Sequence, residues 1–234
     1  MPDDSSSDSR SSKRSRPGAP RPARSAPRRV SESAIRRLSL YLRALEEMGD
    51  DGEEIVSSRL LAERVGTTGP QVRKDLSLFG SFGTRGLGYA VRPLRVRLRD
   101  ILGLSRRWSV ALVGAGRIGA ALVAYPSFRE RGFEIVTILD NDPEKIGTRW
   151  NGIAIGPVER MEEAFRRNPA EVAILAVPAE AAQDAADALV RVGVRGIMNL
   201  APVRLRVPEG VAVKHVDMAV ELESLSFALR HLVR

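Results

Sequence analysis

The chain has no cysteine among its 234 residues, which excludes disulfides, thiolate metal ligands and a cysteine nucleophile. It has only two histidines, His215 and His231, so the side chain used most often for proton transfer and metal binding is scarce. No apolar run reaches the length of a membrane span, and no segment has the pattern of a signal peptide. We therefore expect a cytoplasmic protein that binds neither a membrane nor a metal ion.

Acidic residues are too few to balance the basic ones, and the formal net charge is +8. The excess is concentrated in two segments. Residues 1–29 carry a net charge of +5, and residues 68–107 hold nine basic side chains against two acidic ones. Residues 30–67 and 108–234 have a slight acidic excess. A local basic segment indicates a polyanionic partner such as nucleic acid, although a solvated basic surface would have the same composition.

Large apolar side chains are almost absent from residues 1–29, which consist mainly of Ser, Arg, Pro, Ala and Asp. Such a segment cannot bury enough apolar surface to offset the entropy lost on ordering. We predict a disordered basic tail. It contributes either nonspecific attraction to nucleic acid or solubility alone.

Three helices are predicted next, over residues 31–49, 57–66 and 67–80. Each begins at a Ser or Thr that can cap it, and glycine ends each one. Ser31 or Ser33 caps the first helix, and Pro70 suits the first turn of the third. Their apolar residues recur at three- and four-residue steps. The residues expected to face inward are Ile35, Leu38, Leu42, Leu45, Leu60, Leu61, Val65, Val72, Leu76 and Phe79.

The polar side chains of the third helix are expected to project outward from this apolar stripe. Arg and Lys suit phosphate or guanine, and Gln suits adenine, so the helix fits a DNA major groove. The short connection to the second helix is typical of a helix-turn-helix, here about Leu38 to Ser77. An ordinary amphipathic surface helix would share the pattern. The candidate DNA-binding residues of this helix are Gln71, Arg73, Lys74 and Ser77.

A glycine-rich stretch, Phe82-Gly-Thr-Arg-Gly-Leu-Gly-Tyr89, follows the third helix. Its glycines permit tight turns, so we predict a hairpin that forms the wing of a winged helix. Arg85, next to Gly86 at the tip, would then enter a flanking minor groove. Pro93 begins a further helix, and residues 103–107 form a linker. The sequence therefore predicts a winged-helix DNA-binding domain over residues 30–104.

A second motif lies in Ser109-Val-Ala-Leu-Val-Gly-Ala-Gly-Arg-Ile-Gly119. Its glycines fit G-x-G-x-x-G between an apolar strand and a helix, the context that dinucleotide binding requires. They permit a tight turn, close approach of the backbone to a pyrophosphate and close packing of the helix on its strand. The candidate cofactor-binding residues are Gly114, Ala115, Gly116, Arg117, Ile118 and Gly119.

Strand and helix patterns alternate from here to His215. They predict a parallel sheet with helices on both faces, a Rossmann-type domain over residues 108–218. Asp140 ends the second strand, where a carboxylate accepts hydrogen bonds from the adenosine ribose and repels a 2′-phosphate. Asp142 is close enough to be the ribose ligand instead. We therefore predict NADH and NAD+ as ligands.

These segments in this order closely resemble the Rex family of redox-sensing transcriptional repressors. The resemblance rests on Gln71-Val-Arg-Lys-Asp-Leu, the stretch from Phe79 to Tyr89, Gly114-Ala-Gly-Arg-Ile-Gly119 and Ala201-Pro-Val203. It covers Val30 to the C-terminus. It implies a homodimer that binds a palindromic operator on double-stranded DNA while the NADH/NAD+ ratio is low, and that leaves the operator when NADH binds.

The resemblance also implies roles for single residues. Tyr125 matches a tyrosine near the nicotinamide, and Asp217, which we expect to be buried, matches an aspartate that pairs either with that tyrosine or with an arginine at the position of Arg43. Met218 stands where the family commonly has Phe, so the family's packing against the nicotinamide does not carry over to this position. Residues 219–234 resemble a helix exchanged between subunits. The apolar residues of this helix would equally suit a terminal helix packed on its own chain.

Two alternatives remain open from the residues alone. The first is an NAD-dependent dehydrogenase with a basic extension, for which His215 with Asp217 is the sole candidate pair and no substrate domain remains. The second is a module that binds CoA or another adenine nucleotide without redox discrimination. The regulator is preferred because hydride transfer to a carbonyl needs a proton donor beside the nicotinamide, and apart from this pair the sequence offers no such arrangement. In a regulator, a pocket that desolvates the nicotinamide disfavours the cationic NAD+ and favours NADH.

Overall fold

A computed structural model describes residues 30–84 and 86–232. The predicted disordered tail, residues 1–29, and the predicted minor-groove residue Arg85 lie outside the described residues. The helices and strands of the N-terminal part are α1 (Glu32–Asp50), β1 (Ile55–Val56), α2 (Ser58–Val65), α3 (Gly69–Ser77), β2 (Tyr89–Ala90) and α4 (Val91–Ile101).

Hydroxyl caps set the starts of the first three helices, as predicted. The Ser31, Ser57 and Thr68 side chains accept hydrogen bonds from the backbone N–H groups three residues further on, at 3.3, 3.1 and 3.3 Å. Gly66, with φ of 71°, ends α2 in the left-handed conformation that glycine adopts without strain. Residues 66–68 alone join α2 to α3, which is the tight connection of a helix-turn-helix.

Helix α1 is the centre of the N-terminal core. Leu38, Leu42 and Leu45 are fully buried against residues of α2, α3 and α4. The prediction that Ile35 faces inward is wrong, because Ala34 takes the inward position of the first turn and Ile35 is 45% exposed. Strands β1 and β2 pair antiparallel at the base of the glycine-rich stretch.

The C-terminal part is a seven-stranded sheet in the order β5-β6-β4-β3-β7-β8-β9, in which only β5 runs antiparallel. Its strands are β3 (Trp108–Val113), β4 (Phe133–Asp140), β5 (Arg149–Trp150), β6 (Ile153–Pro157), β7 (Val172–Leu175), β8 (Gly196–Asn199) and β9 (Ala212–His215). Its helices are α5 (Arg117–Val123), α6 (Pro126–Glu130), α7 (Met161–Arg167), preceded by a 3-10 turn (Val158–Arg160), α8 (Ala179–Arg191) and α9 (Met218–Leu232).

Alternate residues of each central strand enter two separate cores. Ala111 and Val113 of β3 pack with α7 and α8 on one face of the sheet. Val110 and Leu112 pack with α5 and α6 on the other. The predicted α/β class, a parallel sheet covered by helices on both faces, is confirmed. The strand order reverses between the neighbouring strands β3 and β7, because β4, β5 and β6 lie on the β3 side and β8 and β9 on the β7 side. Ligands of such sheets bind at the carboxyl ends of the strands beside that point.

Helix α9 differs from every other long helix because all its residues are exposed. The alternative that it packs on its own chain is therefore wrong. Its exposed large apolar residues are Met218, Val220, Leu222, Leu225, Phe227, Leu229 and Leu232. None of the helices described is both long and apolar enough to cross a membrane.

Candidate functional site

The glycine turn after β3 depends on two positions that exclude any side chain. Gly114 has φ of 101°, and a Cβ there would clash with the carbonyl oxygen of Ala176, which follows β7. A Cβ at Gly119 would clash with the carbonyl oxygen of Gly114, so α5 lies directly against the turn. The turn therefore lies between the carboxyl ends of β3 and β7, at the point where the sheet reverses its order.

The middle glycine has the opposite environment. A Cβ added to Gly116 would meet no atom of the described residues within 4 Å. Gly116, Arg117 and Ile118 are exposed at the start of α5, where backbone N–H groups have no partner inside the helix. Ala115, by contrast, is buried. The turn thus has the open surface lined by N–H groups that a pyrophosphate requires. All six residues predicted for this site, 114–119, lie in it.

Asp140 is buried and bonded to the same turn. Its Oδ2 accepts a hydrogen bond from the Ala115 N–H at 2.5 Å, and its Oδ1 accepts one from the Asp142 N–H at 2.8 Å. Asp142 is more exposed and forms an ion pair with Lys145 at 3.0 Å, which lowers the pKa of its carboxyl group. Lys145 Nζ also lies 3.7 Å from Asp140 Oδ1, so the lysine is shared. The two candidate ribose ligands differ because Asp140 is buried and anchors the glycine turn, whereas Asp142 is more exposed.

Asp75 of α3 is a buried carboxylate that sequence reasoning missed. The Arg37 guanidinium of α1 donates to both of its oxygens, at 2.6 and 2.8 Å. The Tyr41 hydroxyl donates to Oδ2 at 2.9 Å, and Gln71 Nε2 donates to Oδ1 at 2.7 Å. The available signal was the spacing, because Asp75 follows Val72 by three positions and precedes Leu76 by one, on the inward face.

Burial alone would raise the pKa of the Asp75 carboxyl, but the hydrogen bonds from Arg37, Tyr41 and Gln71 outweigh it and hold that pKa below its ordinary value. Burial is likewise the main cause of the raised pKa of the Tyr41 hydroxyl. The side chain of Arg37 is 25% exposed and that of Asp75 is 3% exposed. An ionised carboxylate therefore ties α3 to α1.

The other candidate DNA-binding residues lie on one exposed side of α3. Lys74 and Ser77 are exposed, and the guanidinium of Arg73 donates to the Ser58 hydroxyl at 2.8 Å. The expectation that Gln71 projects freely is corrected, because its side chain is half-buried and its amide nitrogen is held by Asp75. Gly86 is exposed with φ of 85°, in the turn that Thr84 and Gly88 close.

The three predicted switch residues are not brought together within one chain. Arg43, Tyr125 and Asp217 are all exposed, and the described residues show no hydrogen bond or ion pair among them. The expectation of a buried Asp217 is therefore wrong for the single chain, where this carboxylate accepts a hydrogen bond from the Ala219 N–H at 2.9 Å and begins α9. Tyr125 immediately precedes α6, with its ring edge against Phe128.

Helix α1 also contacts the C-terminal part through charged side chains. The carboxylate of Glu46 accepts hydrogen bonds from Arg99 of α4 at 3.0 Å and from Arg131, directly after α6, at 2.8 Å. Glu32 forms an ion pair with Lys214 of β9 at 2.8 Å. Helix α1, whose Arg37 and Tyr41 bind Asp75 of α3, is thus also bonded through Glu46 to Arg131, directly after α6.

His215, which was considered for catalysis together with Asp217, contacts a buried asparagine instead. His215 Nδ1 lies 3.1 Å from the amide nitrogen of the fully buried Asn199, and the described residues show no bond between His215 and Asp217. Asn199 also donates to the carbonyl oxygens of Ala201 and Val203. This histidine therefore helps to fix the loop after β8. Among the residues described, no group of three His, Asp or Glu is arranged to hold a metal ion.

A helix-turn-helix with a wing, joined to a Rossmann-type sheet with an open glycine turn, defines the class of nucleotide-responsive DNA-binding regulators. Comparisons with known proteins agree. A family model described as "Putative DNA-binding protein N-terminus" matches residues 29–77, and one described as "CoA binding domain" matches residues 105–203. The redox-sensing transcriptional repressor Rex of Desulfitobacterium hafniense is 50% identical over 199 residues, covering 85% of this chain and 95% of the relative.

Solved structures give the same result. The crystal structure of RSP in complex with β-NAD+ and operator DNA has a TM-score of 0.81 at 38% identity, covering 86% of this chain and 93% of RSP. The complex of RSP with β-NADH has a TM-score of 0.79 at 36% identity, covering 87% and 96%. This chain belongs to the Rex family of redox-sensing transcriptional repressors.

Proposed function

We propose that the protein is a homodimeric repressor that binds a palindromic operator and is released when NADH binds its Rossmann-type domain. The observation that carries this is the 50% identity, over 85% of the chain, to a repressor named Rex, and this chain has both a helix suited to the major groove and an open glycine turn. Repression requires access to DNA, so the protein acts in the cytoplasm. The DNA-binding domain spans residues 30–104 and the nucleotide-binding domain residues 108–218.

The nucleotide is held by residues 114–119, with the pyrophosphate against the surface left open at Gly116. Asp140 fixes the turn by accepting a hydrogen bond from the Ala115 N–H. Either Asp140 or Asp142 accepts hydrogen bonds from the ribose hydroxyls. Tyr125 faces the nicotinamide. The bound dinucleotide supplies a ring whose charge differs by one unit between its two redox forms, so a desolvated surface distinguishes them.

The operator is contacted by the exposed side of α3 and by the wing. Arg73, Lys74 and Ser77 approach the major groove with Gln71, while Arg85 and Gly86 approach the flanking minor groove. Residues 68–107 supply the positive charge that attracts phosphates. A symmetric dimer presents two such helices, and a palindromic operator repeats the same half-site for each.

The dimer is formed through residues 219–234, which include nearly all of α9. Seven large apolar side chains between Met218 and Leu232 are exposed in the single chain, and a second copy of the chain covers them. Because Arg43, Tyr125 and Asp217 are exposed and apart in one chain, their pairing forms across the dimer once α9 has been exchanged. Asp217 pairs with Arg43 when the protein is on DNA and with Tyr125 when NADH is bound.

Release of DNA requires a difference in affinity between the two states. A shift from 1:99 to 99:1 needs about 5.5 kcal/mol. In the proposed dimer the second copy covers Asp217, and loss of a partner by one charge of a buried pair costs roughly 3–5 kcal/mol, so a change of partner at Asp217 accounts for part of this difference. Asp217→Asn is expected to change the NADH concentration needed for DNA release, and an unchanged concentration would exclude this switch.

The proposed ligand is tested by isothermal titration with NADH, NAD+ and CoA. We expect NADH to bind more tightly than NAD+, with CoA weakest. CoA is included in the titration because the family model that matches residues 105–203 is described as a CoA binding domain. Equal affinity for NADH and NAD+ would rule out redox sensing, and preference for CoA would favour the module without redox discrimination. The relatives compared are named repressors, which disfavours the dehydrogenase alternative.

A further inference from the structure

The buried carboxylate of Asp75 contacts a side chain that faces DNA in the proposed function. Its two oxygens are divided between donors, because Tyr41 binds Oδ2, Gln71 binds Oδ1 and Arg37 binds both. Gln71 and Asp75 are four residues apart, so their side chains lie on one face of α3. Gln71 is therefore the only one of the four candidate residues on α3 whose polar group is bonded to this buried carboxylate among the contacts described.

This contact determines which way the amide of Gln71 points. A free glutamine amide can exchange its oxygen and nitrogen by rotation about its last side-chain bond. An ionised carboxylate only accepts hydrogen bonds, so the NH₂ group must face Asp75 and the amide oxygen cannot. The amide oxygen and the second N–H of Gln71 are then left for a ligand, in a fixed order.

We propose that Asp75 is a positioning residue for DNA recognition: it fixes the hydrogen-bond polarity of the Gln71 amide, so that Gln71 selects adenine and disfavours guanine at one position of each half-site. This inference rests on the proposed operator binding. Adenine offers an N6 donor and an N7 acceptor in the major groove, matching the amide oxygen and the remaining N–H. Guanine offers O6 and N7, both acceptors, so it matches only an amide that is free to turn its NH₂ outward.

The test is selection of duplexes from a randomised pool, so the preferred sequence emerges from the selection itself. The full-length protein, Gln71→Met and Asp75→Asn are compared, with Asp100→Asn as the matched control. Asp100 lies on α4, is exposed and accepts a hydrogen bond from Ser105, away from α3. Thermal unfolding and NADH titration of each variant show whether both parts of the chain remain folded.

We expect the full-length protein to prefer adenine over guanine by about tenfold at one half-site position. Gln71→Met and Asp75→Asn should both lose that preference at that position, while Asp100→Asn keeps it. If Asp75→Asn is folded and keeps the preference for adenine, the inference about Asp75 is overturned and the proposed function is not affected. Failure of the full-length protein to select any sequence would overturn the proposed function as well, so the two failures are distinguishable.

A measurement on the unaltered protein covers the case in which Asp75→Asn does not fold. The side-chain amide resonances of Gln71, assigned by their absence in Gln71→Met, should show one proton protected from exchange with water. A solvent-exposed, freely exchanging pair of protons would show that the amide is not held, and the inference would be wrong.

Discussion

The glycine turn and the recognition helix α3 are positioned by opposite means. At the turn, Gly114 and Gly119 allow backbone atoms to approach where a side chain would clash. At α3, three donating side chains converge on the buried carboxylate of Asp75. The nucleotide site is thus shaped by missing side chains, and the DNA-binding surface by an ion pair between helices.

The two regions therefore tolerate substitution differently. A backbone clash cannot be relieved without moving β3 or β7, so a substitution at Gly114 disturbs the fold itself. Replacing Asp75 is expected to cost less than this, because its partner Arg37 keeps some access to water. The parts of the chain that carry the two regions are joined by Glu46 of α1, the helix that binds Asp75, through its contact with Arg131 next to α6.

The largest effect is expected for Gly114→Ala. Its φ of 101° and the carbonyl oxygen of Ala176 both oppose a Cβ, so the free energy of unfolding should fall by about 3 kcal/mol or more. Gly147→Ala is the matched control, because φ is 90° there and no atom lies within 4 Å of the added Cβ. Its cost should be only about 1 kcal/mol in urea unfolding. Equal costs would show that the clash does not matter.

Gly116→Val should separate binding from folding. The backbone there is not in the left-handed region, with φ of −83°, and the Cβ would enter open space. The free energy of unfolding should change by no more than roughly 0.5 kcal/mol, while NADH affinity falls at least about tenfold. Calorimetric titration and thermal unfolding on one preparation check both. Full NADH affinity in this variant would place the pyrophosphate elsewhere.

Glu46→Gln should weaken communication between the two regions. The variant loses the charge that binds both Arg99 and Arg131, so the factor by which NADH reduces DNA affinity should fall by about fivefold, near 1 kcal/mol. Glu47→Gln, one residue further along α1 and exposed, should leave that factor unchanged. DNA affinity is measured for each variant with and without saturating NADH. An equal factor in all three proteins would mean that this ion pair carries no coupling.

The smallest effect is the acid dependence of the Asp75 network. Its carboxyl pKa is lower in the folded protein than its ordinary value, because Arg37, Tyr41 and Gln71 bind the charged form. The stabilisation is therefore complete above the unfolded pKa, near 4, and is lost as the pH falls through the folded value. Urea unfolding of the full-length protein and Asp75→Asn should show a stability difference that narrows below about pH 4. A difference independent of pH would mean that Asp75 is not charged in the folded protein.

The same difference between the glycine turn and α3 explains how much of each region could be predicted from the sequence. The glycine turn depends on local backbone conformation, so residues 114–119 and the strand and helix beside them could be located from their spacing. The role of Asp75 depends on Arg37, which is 38 residues away, and no local pattern records that contact. Asp217 was expected to be buried and is exposed in the single chain, where no residue of α9 is buried. The proposed dimer would cover this helix, and the sequence of one chain does not position a second copy.

The central claim is that the redox state of the bound dinucleotide controls DNA binding. The most direct test is the affinity of the full-length protein for its selected duplex, measured at fixed salt while the NADH/NAD+ ratio is varied at constant total dinucleotide, because phosphate contacts make affinity strongly salt-dependent. We expect tight binding with NAD+ and progressive release as NADH replaces it. Equal affinity at every ratio would contradict the claim.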